Sequence, residues 1–580
     1  MPLSSLTSLF AMENNERSPV VTIEQGSLVG ITKTTLRGRN ISAYLGIPYG
    51  KPPVGALRFS DPQPAESWNG VRDATKEGNA CPSKHMIFRN FIGEEDCLFL
   101  NVFTPATETQ GQHLKGKNAV MVWIHGGGFA MGSSEVAMYG PNFLLDRDIV
   151  LVTINYRLGP LGFLSTGDEV CSGNWGLKDQ MLALKWVQQN IHAFGGDPNR
   201  VTIFGESAGG ASVHYQVLSP LSKGLFHRAI AQSGSSLNPW AFRPRKSAKD
   251  LAFQLGKTLG FKGSHDSKQL LEFLRQIDPK ELVLASEKLC PTHEKLAGIT
   301  FAFVPTSEAE GPNAFLPGEP LELTTSGKFN KDVTFISGVT TAEGFVVEFG
   351  DNALKQNPAF LEKIDANVEI LVPPILGLEQ GSAKSKEAGM KIKKFFFGEQ
   401  PVSPESIANY YDSQNDLLFL LGVDLTIRMQ AMYSTLPVFY YQFSFEGELG
   451  MGKKVCGVDL PGVCHGDELG YLFQMEMLSQ MKLSPEIPER KVIDQLVTLW
   501  ANIAETGHPS QGGKRDQSAS ISWDPVPGGE QKVKFLDINE RLQMVCNRGP
   551  QASRMNFWDS LFKEYAGEKN YFAIKLKEKL

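Results

Sequence analysis

The 580-residue sequence predicts an α/β fold, with a large, mostly parallel central sheet flanked by helices on both faces and helical inserts forming a gorge at one end of it. Three observations carry that prediction. Two short, continuous, β-branched runs, 119–124 (AVMVWI) and 149–154 (IVLVTI), suit strands buried on both faces. Strand and helix signals then alternate, as in a sheet wound with helices on both sides. Finally, two long, mostly helical stretches, 245–300 and 350–430, fall between strands. Loops above the carboxyl ends of parallel strands are where such folds place ligand sites.

The chain opens with antiparallel strands at 20–23, 28–34 and 41–45, broken by Gly26-Ser27 and by the turn Arg37-Gly38-Arg39-Asn40. After the two apolar runs, an amphipathic helix is predicted over 177–194, stopped by Gly195-Gly196-Asp197-Pro198. A strand at 201–204 and a helix over 208–218 follow, the helix ending before Pro220. Later strands are predicted at 229–232, 334–337, 438–443 and 533–536. Residues 1–18 read as a flexible leader, because no basic residue precedes the weakly apolar stretch and polar residues follow it at once. Residues 19–575 read as one domain, since no linker or composition break divides them.

Bulk properties exclude several functions. The formal net charge is −6 and the basic residues are dispersed, which argues against a nucleic-acid partner. No apolar run reaches the ~18 residues of a transmembrane segment. Seven cysteines form neither a disulfide scaffold nor CxxC-type metal spacing. The glycosylation triplet Asn40-Ile41-Ser42 falls on a predicted strand. Together these point to a cytoplasmic protein, with secretion as the alternative.

Gly205-Glu206-Ser207-Ala208-Gly209 fits G-x-S-x-G. Chance yields roughly 0.4 such matches in a chain this rich in Gly and Ser, so the pattern needs its context. Here it lies between a predicted strand, VTIF, and a predicted helix, as a nucleophile elbow requires. Small flanking residues let the backbone cross, and the helix N-terminus favours developing negative charge at Ser207. His125-Gly126-Gly127-Gly128-Phe129 follows the run AVMVWI. Its glycines allow backbone N–H groups to approach an oxyanion, and Gly127, Gly128 and Ala208 are the candidate donors.

An acid and then a histidine must follow in chain order. His214 and His227 come too early to follow an acid from a later strand. His465, in the Gly-flanked loop Gly462–Glu468, projects after strand 438–443, and Glu343 follows strand 334–337. A carboxylate there can hold the imidazole tautomer. On spacing alone, each of the two also fits an ordinary surface group.

These motifs resemble the type-B carboxylesterase/cholinesterase family, and within it the insect α-esterases. The matching strings span nearly the whole chain: Tyr44-Leu45-Gly46-Ile47-Pro48-Tyr49, Glu95-Asp96-Cys97-Leu98, the HGGGF loop, Asn155-Tyr156-Arg157, Asn174–Gln180, Phe194–Pro198, Gly205–Gly209, Gln232-Ser233-Gly234 and His465–Glu468. The resemblance implies an α/β-hydrolase fold, the catalytic triad Ser207, Glu343 and His465, and an oxyanion hole of Gly127, Gly128 and Ala208. It implies supporting roles for Glu206, Ser233 and Glu468, a disulfide between Cys81 and Cys97, and no metal or organic cofactor. The implied activity is serine carboxylesterase chemistry through an acyl-enzyme, with small-molecule esters as substrates. Broad xenobiotic or lipid ester detoxification and covalent organophosphate sequestration belong to the same expectation.

The chain departs from the family pattern in three places. Only Cys290 lies where the family's second disulfide falls. The stretch 82–96 has no Trp, and Phe88 and Phe91 offer weaker faces to a quaternary ammonium, which argues against choline esters. The residue before the serine is Glu206, where juvenile hormone esterases usually carry Gln. Trp240 resembles the α-esterase position that limits acyl size. Phe301, Phe303, Phe345 and Phe419 are candidates for the rest of the pocket, and each fits core packing as well. A hormone esterase or lipase is the second reading. A non-catalytic adhesion homologue is the third, and the retained serine and histidine count against it.

Overall fold

A computed structural model describes residues 16–106, 118–289, 300–309, 311–349, 354, 359–510, 522–528 and 533–565. Cys290 and most of the leader lie outside the described residues. The centre of the molecule is an eleven-stranded sheet. Its strands, numbered along the chain, are β1 (Ile31–Thr34), β2 (Asn40–Pro48), β3 (Phe99–Pro105), β4 (Asn118–Ile124), β5 (Ile149–Ile154), β6 (Gly196–Glu206), β7 (Arg228–Gln232), β8 (Thr334–Thr340), β9 (Val438–Phe443), β10 (Val533–Ile538) and β11 (Gln543–Asn547). The spatial order is β11-β10-β9-β8-β7-β6-β4-β5-β3-β2-β1. Strands β5 to β10 run parallel through β4, while β3, β2 and β1 on one edge and β11 on the other are antiparallel.

The apolar runs are strands because their side chains divide between two cores. Val120, Val122 and Ile124 of β4 pack on one face, with the helices Trp175–Asn190 and Ala208–Leu218. Ala119, Met121 and Trp123 pack on the other, with the helix Pro488–Thr506 and its Trp500. That alternation with period two buries every residue of β5.

Three differences from expectation have local causes. The predicted strand 28–34 is two strands in different sheets, Gly26–Val29 and β1. The break is at Gly30, where a Cβ would lie 2.1 Å from the Ala43 carbonyl oxygen. The helix predicted over 177–194 is α-helical from Trp175 to Asn190 and tightens into a 3₁₀ turn, Ile191–Phe194, closed by Gly195 at φ +80°. Strands β3 and β11 have no counterpart in the sequence reading.

The chain enters β4, moves to β5 on one side, and returns to β6 on the other. This reversal opens a crevice at the carboxyl ends of β4 and β6. Register lines up the residues on its floor: Ile124 pairs with Gly205, Glu206 with Gln232, and Gln232 with Gly338. The loops beginning at His125, Ser207, Ser233 and Thr341 therefore leave the sheet side by side. Helical inserts, including Arg245–Thr258, Ala383–Phe397 and Ile407–Asn415, stand between these strands along the chain. No described helix is long and apolar enough to cross a membrane.

Candidate active site

β6 ends at Glu206 and the next helix begins at Ala208, so Ser207 alone turns the corner. Its φ of +59° and ψ of −122° lie where non-glycine residues are strained, at a typical cost of about 1–3 kcal/mol. The Ser207 amide donates to Gln232 O at 2.9 Å, and Ala211 N donates to Ser207 O at 2.9 Å. The flanking glycines allow the crossing. A Cβ on Gly205 would lie 2.5 Å from Ile124 O, and one on Gly209 only 2.0 Å from the same oxygen.

That crossing brings Ser207 beside the glycine loop after β4. A Cβ on Gly126 would lie 3.1 Å from Ser207 Cβ. Gly127 and Gly128 take φ of +107° and +62°. A side chain at Gly128 would overlap the Phe301 ring, 2.0 Å away. His125 anchors the loop by stacking on Tyr156 with ring centroids 4.4 Å apart, and the Tyr156 hydroxyl donates to His125 O at 2.9 Å. Burial pushes the His125 pKa down to about 4, so this ring is neutral. Ala208 opens its helix, so its N–H has no partner within that helix.

The loops that carry Glu343 and His465 are laced together. Ala342 N donates to Val463 O at 2.8 Å, and Val463 N to Thr341 Oγ1 at 2.9 Å. His465 Nδ1 lies 2.6 Å from Glu343 Oε2. Glu343 is fully buried, and its Oε1 accepts from Ser233 Oγ at 2.5 Å and Thr340 N at 2.7 Å. A carboxyl group with both oxygens hydrogen-bonded is held fixed and can orient the imidazole.

A second carboxylate reaches the other ring nitrogen: Glu206 Oε1 is 3.0 Å from His465 Nε2. Burial disfavours the imidazolium, but Glu206, Glu343 and then Glu468 outweigh it and hold the His465 pKa up at about 9. Burial raises Glu206, opposed by His465 and reinforced by Glu343. It raises Glu468 too, reinforced by Glu206 and Glu343. Glu468 Oε1 accepts from Gln232 Nε2 at 3.1 Å, and Trp500 Nε1 fixes that amide by donating to Gln232 Oε1 at 3.1 Å.

Ser207 and His465 both open into a cavity of about 960 Å³. Of the predicted pocket residues, Trp240, Phe301, Phe303 and Phe419 line it. Trp240 is fixed by its indole N–H, which donates to Leu418 O at 2.9 Å, and Phe419 packs between the Trp240 and His465 rings, at 5.8 and 4.4 Å. The structure places Phe345 elsewhere, edge-on to Tyr411 at 5.4 Å. Glu343–Glu348 is a 3₁₀ helix, so Glu343 and Val346 share a face, and Val346 and Val347 line the cavity instead. Methionines 86, 131, 138, 451 and 475 complete a polarisable, adaptable wall. Cys81 and Cys97 are joined by a disulfide.

Two contributors have no sequence signal. Asn415 Oδ1 accepts from Glu343 N at 2.9 Å, and Asn415 Nδ2 donates to Asp416 Oδ1 at 3.1 Å. Asp416 starts a π-helical turn, Asp416–Leu420, that brings Phe419 to the imidazole. Arg554 and Trp558, more than 130 residues away along the chain, hold Asp416 at 3.0 Å each. Only the folded chain joins these residues.

The chain matches known proteins over nearly its whole length. The carboxylesterase family model matches residues 17–558. Esterase E4 of Myzus persicae is 37% identical over 93% of this chain and 95% of its own. Juvenile hormone esterase of Tribolium castaneum is 34% identical over 90% and 88%. Among solved structures, juvenile hormone esterase from Manduca sexta with OTFP covalently attached superposes with a TM-score of 0.82 at 28% identity, covering 94% of this chain and all of that one. With an α/β-hydrolase sheet, a serine elbow and a carboxylate-held histidine on one cavity, this chain belongs to the carboxylesterase family and is a carboxylic-ester hydrolase.

Proposed function

We propose that Ser207, His465 and Glu343 form the triad of a general esterase for hydrophobic esters with small to medium acyl groups. In this reading one domain carries the site. The Ser207 hydroxyl attacks the ester carbonyl while His465 Nε2 takes its proton and Glu343 stabilises the imidazolium. The carbonyl oxygen becomes an oxyanion held by the N–H groups of Gly127, Gly128 and Ala208. The C–O bond breaks, His465 returns the proton to the departing alcohol, and an acyl-Ser207 remains. A water activated by His465 then attacks that acyl group and frees the acid and Ser207. Nε2 lies against Glu206 in the free enzyme, and the serine–base contact tightens as substrate enters.

One observation carries this reading: the 2.6 Å His465–Glu343 pair opens on the same cavity as a serine held at positive φ. Trp240 and Phe419 bound the acyl side, and the methionine wall suits varied alcohols. The same oxyanion hole accepts a phosphoryl oxygen, so organophosphates trap Ser207 covalently. The juvenile hormone esterases among the relatives favour a hormone-type ester as the second reading. The Cys81–Cys97 disulfide favours a secreted location over a cytoplasmic one. The test is Ser207→Ala, which abolishes turnover of p-nitrophenyl esters at unchanged far-ultraviolet circular dichroism. Turnover near the wild-type rate rejects the triad.

A further inference from the structure

Two thiols that the esterase reaction does not use lie beside its histidine. Cys464 immediately precedes His465, and its Sγ is 4.0 Å from Cys456 Sγ. Cys456 ends the short helix Met451–Cys456 and lines the cavity, whereas Cys464 is fully buried behind it. That helix rests on the histidine loop: a Cβ on Gly452 would lie 2.3 Å from His465 O, and Lys453 N donates to Asp467 Oδ1 at 3.1 Å. The loop in turn carries the hydrogen bonds from Ala342 and to Thr341 that align His465 with Glu343.

We propose that Cys456 and Cys464 form a dithiol modification site, closed by apolar organic hydroperoxides that enter the ester cavity, and that its closure switches the esterase off. This rests on the role of His465 proposed above. The Cys456 thiol loses its proton to solvent and attacks the outer peroxide oxygen. An S–O bond forms, the O–O bond breaks, and the alcohol leaves with a proton. Cys464 Sγ then attacks the sulfenic sulfur, an S–S bond forms, and water leaves. In sum, two thiols and one hydroperoxide give a disulfide, an alcohol and water. A disulfide spans about 2.05 Å, so closing the present gap moves the sulfurs together by about 2 Å. Because Cys464 adjoins His465, part of that movement reaches the imidazole. A misplacement of about 1 Å costs roughly 100-fold in rate.

The test treats the purified full chain with cumene hydroperoxide, removes the excess, and measures p-nitrophenyl butyrate hydrolysis beside non-reducing peptide mapping. A Cys456–Cys464 cross-linked peptide is expected, with activity falling about 100-fold in proportion to it and both effects reversed by dithiothreitol. Cys456→Ala and Cys464→Ala each keep their own untreated rate after the same exposure. Free thiols at both positions alongside an oxidised Cys546, full cross-linking without loss of rate, or an equal loss in Cys456→Ala each overturns the proposal. The last result assigns the loss to methionine oxidation in the cavity wall. Failure of the triad shows separately, as turnover in untreated Ser207→Ala.

Discussion

Replacing Glu206 with Gln removes one charge from the histidine cluster and keeps nearly the same shape. His465 sits at about 9 against an ordinary 6.5, a net rise of about 2.5 that already absorbs the opposing effect of burial. Three carboxylates produce that rise: Glu206 by charge, Glu343 by charge and by hydrogen bond, and Glu468 by charge. Glu206 is the strongest of these attractions, and it faces Nε2 at 3.0 Å. The substitution therefore lowers the imidazole pKa; removing an opposite charge at this range typically shifts a neighbouring group by about one unit or more, roughly tenfold in the equilibrium. The sign follows from the base role proposed for His465. Only neutral His465 can accept the serine proton, so kcat/KM rises with pH, and a lower pKa brings that rise to lower pH. The assay is kcat/KM for an uncharged p-nitrophenyl ester from pH 5 to 10, corrected for spontaneous hydrolysis. Wild type is expected to show its acid limb above 6.5, with Glu206→Gln displaced downward. An unmoved or upward-moved limb refutes the electrostatic reasoning.

The other side chains give further expectations. Ser233→Ala leaves Glu343 Oε1 with only the Thr340 amide, and the loss of one charge-assisted hydrogen bond, about 1.5 kcal/mol, lowers kcat about tenfold with little change in KM. A fall confined to KM contradicts that placement. If Trp240, which lines the cavity beside Phe419, bounds the acyl side as proposed, Trp240→Leu raises the rate on branched acyl esters relative to acetate. Unchanged acyl preference assigns Trp240 to the core alone.

Much of this site is legible in the sequence because its signals are local. A nucleophile elbow requires a strand, a serine between small residues and a helix close together in the chain, and residues 201–218 supply them in order. Ala119–Ile124 and Ile149–Ile154 read as strands because both their faces are buried. β3 is missed because FLNVFTP mixes polar and apolar residues without period, and it becomes a strand through β2 and β5 on either side. Phe345 is misplaced because a 3₁₀ turn, which no residue pattern announces, rotates it away from Glu343. Asn415 and Asp416 act through a π turn held by Arg554 and Trp558, and such distant contacts leave no periodic trace. The proximity of Cys456 to Cys464 depends on how one short helix packs on a loop.

The central claim is that Ser207 is the one activated nucleophile, poised before the oxyanion donors. Its most direct measurement is intact-mass and peptide mapping after reaction with diethyl p-nitrophenyl phosphate. The account predicts a single diethylphosphoryl group per chain, on the peptide carrying Ser207, formed in step with the loss of esterase activity. Full inactivation with no adduct, or with the adduct on another residue, contradicts it.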